Sequence, residues 1–370
     1  MIYIHIPFCH RKCAYCAFYS VASQRLVHSF VDALLEEMTE RRGEQSHPIR
    51  TVYFGGGTPS LLPLDELSRI VDGLRRNFDL SQMEEATLEC NPEDLDVCYL
   101  EGLRGLDFFN RLSIGIQSLD DSVLHLLNRR HSAQQALDAV ANAHLAGFGN
   151  ISVDFIYGVQ NGIDTLSFNQ ILPAVNHISA YSLTVEPGTA LAVQIEKGRV
   201  ELPDDDEVVR QYHTLHCCFH EAGFEQYEVS NYARQGFESR HNSRYWDRTP
   251  YLGLGPGAHS FDGKKRRWNI SNVEEYSNRY NQVGSCDGRK TVFEEETLSP
   301  ADAFNETLMT ALRTVCGLPV ASVPDGYKKR LHCLMQPYIE CGWISLTSTH
   351  YKPTAEGLLH ADGIAAALFI

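Results

Sequence analysis

Six short β-rich runs, "IYIHI" (2–6), "TVYFG" (51–55), "ATLEC" (86–90), "RLSIGIQ" (111–117), "ISVDFIY" (151–157) and "ISAYSLTVE" (178–186), are separated by stretches with helical spacing. Leu26, Val27, Phe30, Val31, Leu34, Leu35 and Met38 recur at helical intervals, as do Leu64, Leu67, Ile70, Val71 and Leu74. Strand and helix in alternation require parallel pairing, because each right-handed crossover needs room for a helix. A closed barrel takes eight such units. Six units predict an α/β fold of the incomplete (β/α)6 barrel type, with a gap that admits a bulky substrate; the alternative is an open, doubly wound sheet.

Past about residue 190 the texture changes. An acidic start at Asp204-Asp205-Asp206-Glu207 leads into a helix through "VVRQYHTLHCCFHEAG", followed by a Gly- and aromatic-rich stretch. Ser299 ahead of Pro300 reads as an N-cap for a helix from about 299, with a second helix near 326–341. "GWISLTSTHYKPTAEGLLHADGIAAALFI" then reads as a strand pair and a helix. This order predicts a small winged-helix-like domain over 291–370, after a barrel over 1–230 and a connecting region over 231–290.

Nucleic acid binding does not follow from that domain. The formal charge of −15, from 32 basic and 47 acidic residues, opposes phosphate backbones and anionic lipid alike. The local basic run Lys264-Lys265-Arg266-Arg267 reads first as a solvated turn and second as a dock for an anionic group. There is no apolar run of the ~18 residues needed to span a bilayer. Met1 to His5 has neither a basic leader nor a small-residue cleavage site, which predicts a cytoplasmic protein. The eleven cysteines are then expected to stay reduced.

Three of them, Cys9, Cys13 and Cys16, form C-x3-C-x2-C on the loop after the first run. Structural zinc asks for four ligands and favours paired C-x2-C, and no second pair is present. Zinc completed by His5 or His10 stays open as the bland reading. Fe–S clusters take thiolates at tight spacings, and three ligands on a [4Fe–4S] cube leave one iron for a substrate or cofactor.

The spacing, its position after a first strand and Tyr15 before the last cysteine resemble the signature of the radical S-adenosylmethionine family. The resemblance implies a partial barrel whose cluster, held by Cys9, Cys13 and Cys16, binds S-adenosylmethionine at its open iron. It also implies that Tyr3, Tyr15, Gly56, Gly57, Thr58, Glu89, Gln117, Arg129 and Asp154 contact that nucleoside. Their positions fit a barrel rim, since "FGGGTP" ends the second run, "LECNPE" the third and "SIGIQS" the fourth. The glycines are read as letting backbone approach the cofactor.

Beyond the barrel, "YIHIPFC", "YFGGGTPSLL", "RLSIGIQSLDD", "VDFIYGVQ" and "AYSLTVEPGT" resemble the branch that holds oxygen-independent coproporphyrinogen III oxidases and their haem-chaperone relatives. The oxidases resemble C-x3-C-x2-C-x-C, where this chain has Phe18, and carry an N-terminal extension ahead of the first strand, which here begins at Ile2. "HNSRYW" (241–246) resembles the H-N-x-x-Y-W motif of the chaperones, which implies His241 as a haem ligand. His259 is a second candidate, and Arg266 and Arg267 are candidates for the propionates. The expected function is therefore a haem chaperone with a cluster and S-adenosylmethionine, passing haem to an acceptor protein and served by a flavodoxin- or ferredoxin-like electron donor. The alternative is oxidative decarboxylation of coproporphyrinogen III in porphyrin biosynthesis.

Overall fold

The computed structural model describes residues 1–160, 162–281 and 292–370. Its main sheet contains β1 (Ile2–Ile6), β2 (Thr51–Gly56), β3 (Glu85–Cys90), β4 (Arg111–Gln117), β5 (Ile151–Tyr157) and β6 (His177–Ser182). These six pair in parallel and in sequential order. A doubly wound sheet reverses its strand order at a switch point. Here the order never reverses, so every right-handed crossover lays its helix on the same face. The apolar members of the strands, Ile2, Ile4, Ile6, Val52, Phe54, Leu88, Ile114 and Val153 among them, share one core with those helices. Tyr3, Tyr53, Glu89, Arg111, Ser113 and Asp154 alternate with them and face the other way, into the lumen of a partial barrel.

The sixth strand is shorter than its sequence run and ends at Ser182. Its antiparallel neighbour pairs only as far as Ser179, and Gly188 turns the chain at φ +79°. The sheet also extends beyond residue 230. β7 (Glu225–Gln226) pairs with β8 (Asn231–Ala233), which runs antiparallel to β6, and β9 (Leu252–Leu254) adds in parallel beside β1. Part of the segment read as a connector is therefore woven into both edges of the barrel sheet.

A buried charge network fastens that second edge. Glu37, fully buried on the helix Val27–Arg41, accepts hydrogen bonds from Arg41 Nη1 at 2.9 Å, Gly255 N at 2.8 Å, Asn269 Nδ2 at 2.7 Å and Tyr276 Oη at 2.6 Å. Arg41 in turn donates to the Gly253 carbonyl and to Ser260 Oγ. A buried ion pair is retained at such a place only when its other lone pairs and protons are satisfied, as these are.

The C-terminal segment has a core of its own, formed by Phe304, Leu308, Leu331, Met335, Ile344 and Tyr351 with their neighbours. Ser299 caps the helix Pro300–Ala311 in a reciprocal box with Asp302, and the helix Asp325–Glu340 follows. The strand pair Ile344–Leu346 and His350–Pro353 gains a third short strand, Leu318–Pro319, and two helices, Ala355–Leu359 and Ala361–Ala367, close the chain. The basic run is neither a bare turn nor a free dock. On the strand Lys265–Asn269, Lys265 pairs with Glu295 and Arg266 with Glu306, while Arg267 approaches Glu44 and lies over the Phe293 ring. Among the described residues no helix is long and apolar enough to cross a membrane.

Replacing Glu37 by alanine leaves the buried Arg41 to the partly exposed Glu44 and strips the shared acceptor from Gly255 N, Asn269 and Tyr276, and the expected cost is about 3–5 kcal/mol. Chemical denaturation of Glu37→Ala, with Glu37→Gln retaining a larger share of the stability, checks this.

Candidate functional site

Cys9, Cys13 and Cys16 sit half-buried on the loop that leaves β1 at the C-terminal end of the strands. Backbone bonds pin this loop on several sides: Cys9 N donates to the Val21 carbonyl, Ala14 N to Leu127, and Leu191 N to Ala14. Asn128 Nδ2 adds a bond to the Lys12 carbonyl at 3.0 Å. The backbone that carries the three thiols is thus tied to its surroundings at several points. Among the described residues no three His, Cys, Asp or Glu side chains gather as one metal ion requires. A cubane, with its irons at separate corners, asks for a wider triad than zinc does.

One continuous polar chain joins two of the thiols. Thr58 Oγ1 donates to Cys9 Sγ at 3.5 Å and accepts from Asn91 Nδ2 at 3.1 Å. Arg129 donates through Nη2 to Asn91 Oδ1 at 2.8 Å and through Nη1 to Cys13 Sγ at 3.3 Å. Asn91 is a site residue that the sequence reading did not assign. Its only signal was its place just past β3, ahead of Pro92, where the chain must turn at the rim.

The thiols open onto a cavity of about 470 Å³. Tyr15, Gly57, Thr58 and Arg129 line it from the loops, and Gly56, Glu89, Gln117 and Asp154 from the strands. Eleven of the twelve residues expected to hold the cluster and nucleoside therefore share one space. Tyr3 does not line it. It lies deeper in the lumen, stacked on Tyr53, with its hydroxyl 3.2 Å from His5 Nδ1.

The glycines serve the protein before any ligand. A Cβ on Gly56 would stand 2.5 Å from the His5 ring, and one on Gly57 would stand 2.6 Å from the Phe8 carbonyl oxygen. Gly56 also needs φ +109°, which only glycine adopts freely. Gln117 is not a plain strand cap. It has φ +62° at the register shift that ends the β4–β5 pairing, and this bulge turns its amide into the cavity.

Burial shapes the charges. Glu89 accepts from Tyr53 Oη at 2.8 Å and Gly56 N at 3.1 Å, yet desolvation pushes its carboxyl up to about 7. Burial likewise raises Asp154, opposed by hydrogen bonds from Ser179 and Ser113 and by the charge of Arg111. The Tyr15 hydroxyl, enclosed among the thiols, is held protonated.

His241 lies at the opposite end of the strands, away from the cavity. It is fully buried, with Nδ1 3.0 Å from Thr51 Oγ1 and Nε2 3.1 Å from Tyr245 Oη, and desolvation pushes it down to about 3. Its helix, Arg240–Trp246, is held by Glu85, which accepts from Arg240 N and His241 N at 2.9 Å each. In this arrangement His241 presents no free nitrogen to an iron. The reason is that Thr51 and Tyr245 occupy both ring nitrogens. His259 is exposed and stacked on Trp268, and Arg266 and Arg267 are spent on the carboxylates already described.

The profile of the Radical SAM superfamily matches residues 3–163. The protein named "Heme chaperone HemW" of Mycobacterium tuberculosis is 33% identical over 376 residues, 99% of this chain and 94% of that relative. The chain belongs to the HemW family of radical SAM proteins. The HemW of Bacillus subtilis is also 33% identical, over 99% of this chain and 98% of its own length. The solved structure of coproporphyrinogen III oxidase (HemN) from Escherichia coli superposes with a TM-score of 0.82 at 21% identity, covering 100% of this chain and 89% of that one. That likeness establishes the fold.

A [4Fe–4S] cluster and S-adenosylmethionine are the cofactors of this superfamily, and the site fits them. Three free thiols face one cavity, and Arg129 Nε is buried there without a partner. Removing Asn91 leaves Arg129 and Thr58 each short of one bond, worth roughly 1 kcal/mol net. Asn91→Ala is expected to weaken S-adenosylmethionine binding about fivefold with little change in iron content, as measured by equilibrium dialysis of anaerobically reconstituted protein.

Proposed function

We propose that this chain is a haem chaperone in which Cys9, Cys13 and Cys16 hold the [4Fe–4S] cluster and its fourth iron is left to S-adenosylmethionine. The likeness to HemW along nearly the whole chain carries the haem assignment. Phe18 supports it. It stands 69% exposed on the cavity wall, where the oxidases resemble a further cysteine. With Tyr181 and Leu183 it gives the mouth an apolar rim suited to a flat macrocycle.

The cluster, when bound, supplies an electron to the sulfonium of the nucleoside. The protein's own work is to place and shield. Glu89 offers carboxylate oxygens to the ribose hydroxyls, while Gly56, Gly57, Thr58, Gln117 and Asp154 bound the rest of the nucleoside. Tyr3 supports Tyr53, and through it Glu89, from below. Arg129 balances the negative charge of the thiolate loop, and Tyr15 excludes water beside it. The division into a barrel over 1–230, a connecting region over 231–290 and a winged-helix-like domain over 291–370 goes with this reading, its second boundary lying outside the described residues. Haem passes in the cytoplasm to an acceptor protein, with a flavodoxin- or ferredoxin-like donor keeping the cluster reduced. Haem ligation by His241 requires its helix to leave Glu85 and Thr51 first.

Anaerobic protein is expected to bind haem saturably by absorbance and to give no decarboxylated product from coproporphyrinogen III. Such a product would establish the oxidase instead, and an absence of saturable binding removes the haem assignment. If His241 is a latent ligand, His241→Ala loses the haem spectrum; if it only packs, the spectrum persists while stability falls by about 2–4 kcal/mol from the cavity and the lost bonds. Denaturation of the same variant separates the two roles.

A further inference from the structure

Arg111 is a buried cation at the base of β4 that no cofactor role claims. It is 1% exposed, and both its Nε and its Nη1 lack a hydrogen-bond partner. Leaving guanidinium protons unpaired in the interior is costly. Its neighbour in register on β3, Thr87, has a buried hydroxyl that is also unpartnered. A guanidinium held this way acts through its field, which reaches far in a water-poor lumen.

Strand register shows where that field falls. Arg111 pairs with Thr87, and two residues further along the same lumen faces Ser113 pairs with Glu89. Ser113 Oγ donates to Asp154 at 3.4 Å. The guanidinium therefore sits one layer beneath the two carboxylates that line the cavity floor. We infer that Arg111 is a positioning residue for the nucleoside cofactor, a fixed cation one layer below Glu89 whose charge favours the carboxylate form that accepts the ribose hydroxyls. This rests on the proposed role of Glu89 and extends it to a residue that never touches the ligand.

Hydrogen bonds from Tyr53 Oη and Gly56 N also favour the ionised Glu89, but neither brings a positive charge. Tyr3 faces Glu89 from β1, Tyr53 and Gly56 N from β2, Asp154 from β5, Tyr181 from β6 and Tyr245 from the helix Arg240–Trp246, with Cys90 adjacent on its own strand. Among these described groups none but Arg111 carries positive charge. The nearby imidazoles cannot help, because burial and Arg111 itself hold His177 and His241 neutral. Arg129, the other buried arginine of the site, is taken up by Asn91, the Gly115 carbonyl and Cys13.

The test measures S-adenosylmethionine affinity of anaerobically reconstituted protein across about pH 5.5 to 8.5. Wild-type affinity is expected to fall as pH drops through about 7, where Glu89 takes up a proton. In Arg111→Gln the protonated carboxyl is favoured further, so the midpoint moves up by about one pH unit or more, and Arg111→Lys restores it. In a Glu89→Gln background the Arg111 charge no longer moves the profile. If Glu89→Gln binds as wild type does, the cofactor role of Glu89 fails. If Glu89 matters but Arg111→Gln leaves the midpoint in place, or Arg111→Lys shifts it as far as glutamine does, the inference about Arg111 is overturned and the site assignment stands. Should Arg111→Gln not fold, Arg111→Met, a neutral side chain of similar length suited to a buried site, takes its place under the same criterion.

Discussion

The structure depends on a two-residue rhythm in six parallel strands, apolar toward the helices and polar toward the lumen. Parallel sheets usually bury both faces under apolar side chains. Here one face carries Tyr3, His5, Glu89, Arg111, Asp154 and His177, which cannot be left against hydrocarbon. The sheet curls around them, and they largely satisfy one another: Tyr53 donates to Glu89, Ser113 to Asp154, and Ser152, His177 and Tyr227 form a relay with both contacts at 2.7 Å. The alternation that makes a barrel also makes a polar interior, so fold and binding site have one cause.

The thiol loop sits at the one end of this interior where strands finish and loops begin. Its backbone is tied to the segment after it, to the turn near Leu127 and to the helix that starts at Ala190. Groups from four strand ends meet it there because parallel strands in register bring equivalent positions to the same height. Desolvation in that enclosed space raises the carboxyls, and the arginines oppose it. The chemistry of the site is thus a balance between burial and a few fixed cations.

The strands and the cysteine triad were legible because both are periodic or closely spaced, and local spacing survives folding. The rim residues Glu89, Gln117, Arg129 and Asp154 were found through strand-end logic together with a family resemblance. Asn91 and Arg111 were not, because their importance shows only once distant segments are assembled: Asn91 in bonds across 33 and 38 residues, Arg111 in a burial that leaves its Nε and Nη1 without a partner. The glycines were placed correctly but explained incompletely, since the atoms crowding them belong to His5 and Phe8. The motif at His241 named an imidazole, but the alternation that sends Thr51 into the lumen beside it shows only once the strands are assembled. The role given to 231–290 missed β8 and β9, each just three residues long and below what periodicity can reveal.

Glu85 gathers two backbone amides of the segment beginning at Arg240, and the Ser239 hydroxyl lies 3.5 Å from one of its oxygens. One carboxylate thus fixes the point at which the chain enters the Arg240–Trp246 helix, and its removal would leave three donors without their acceptor at once.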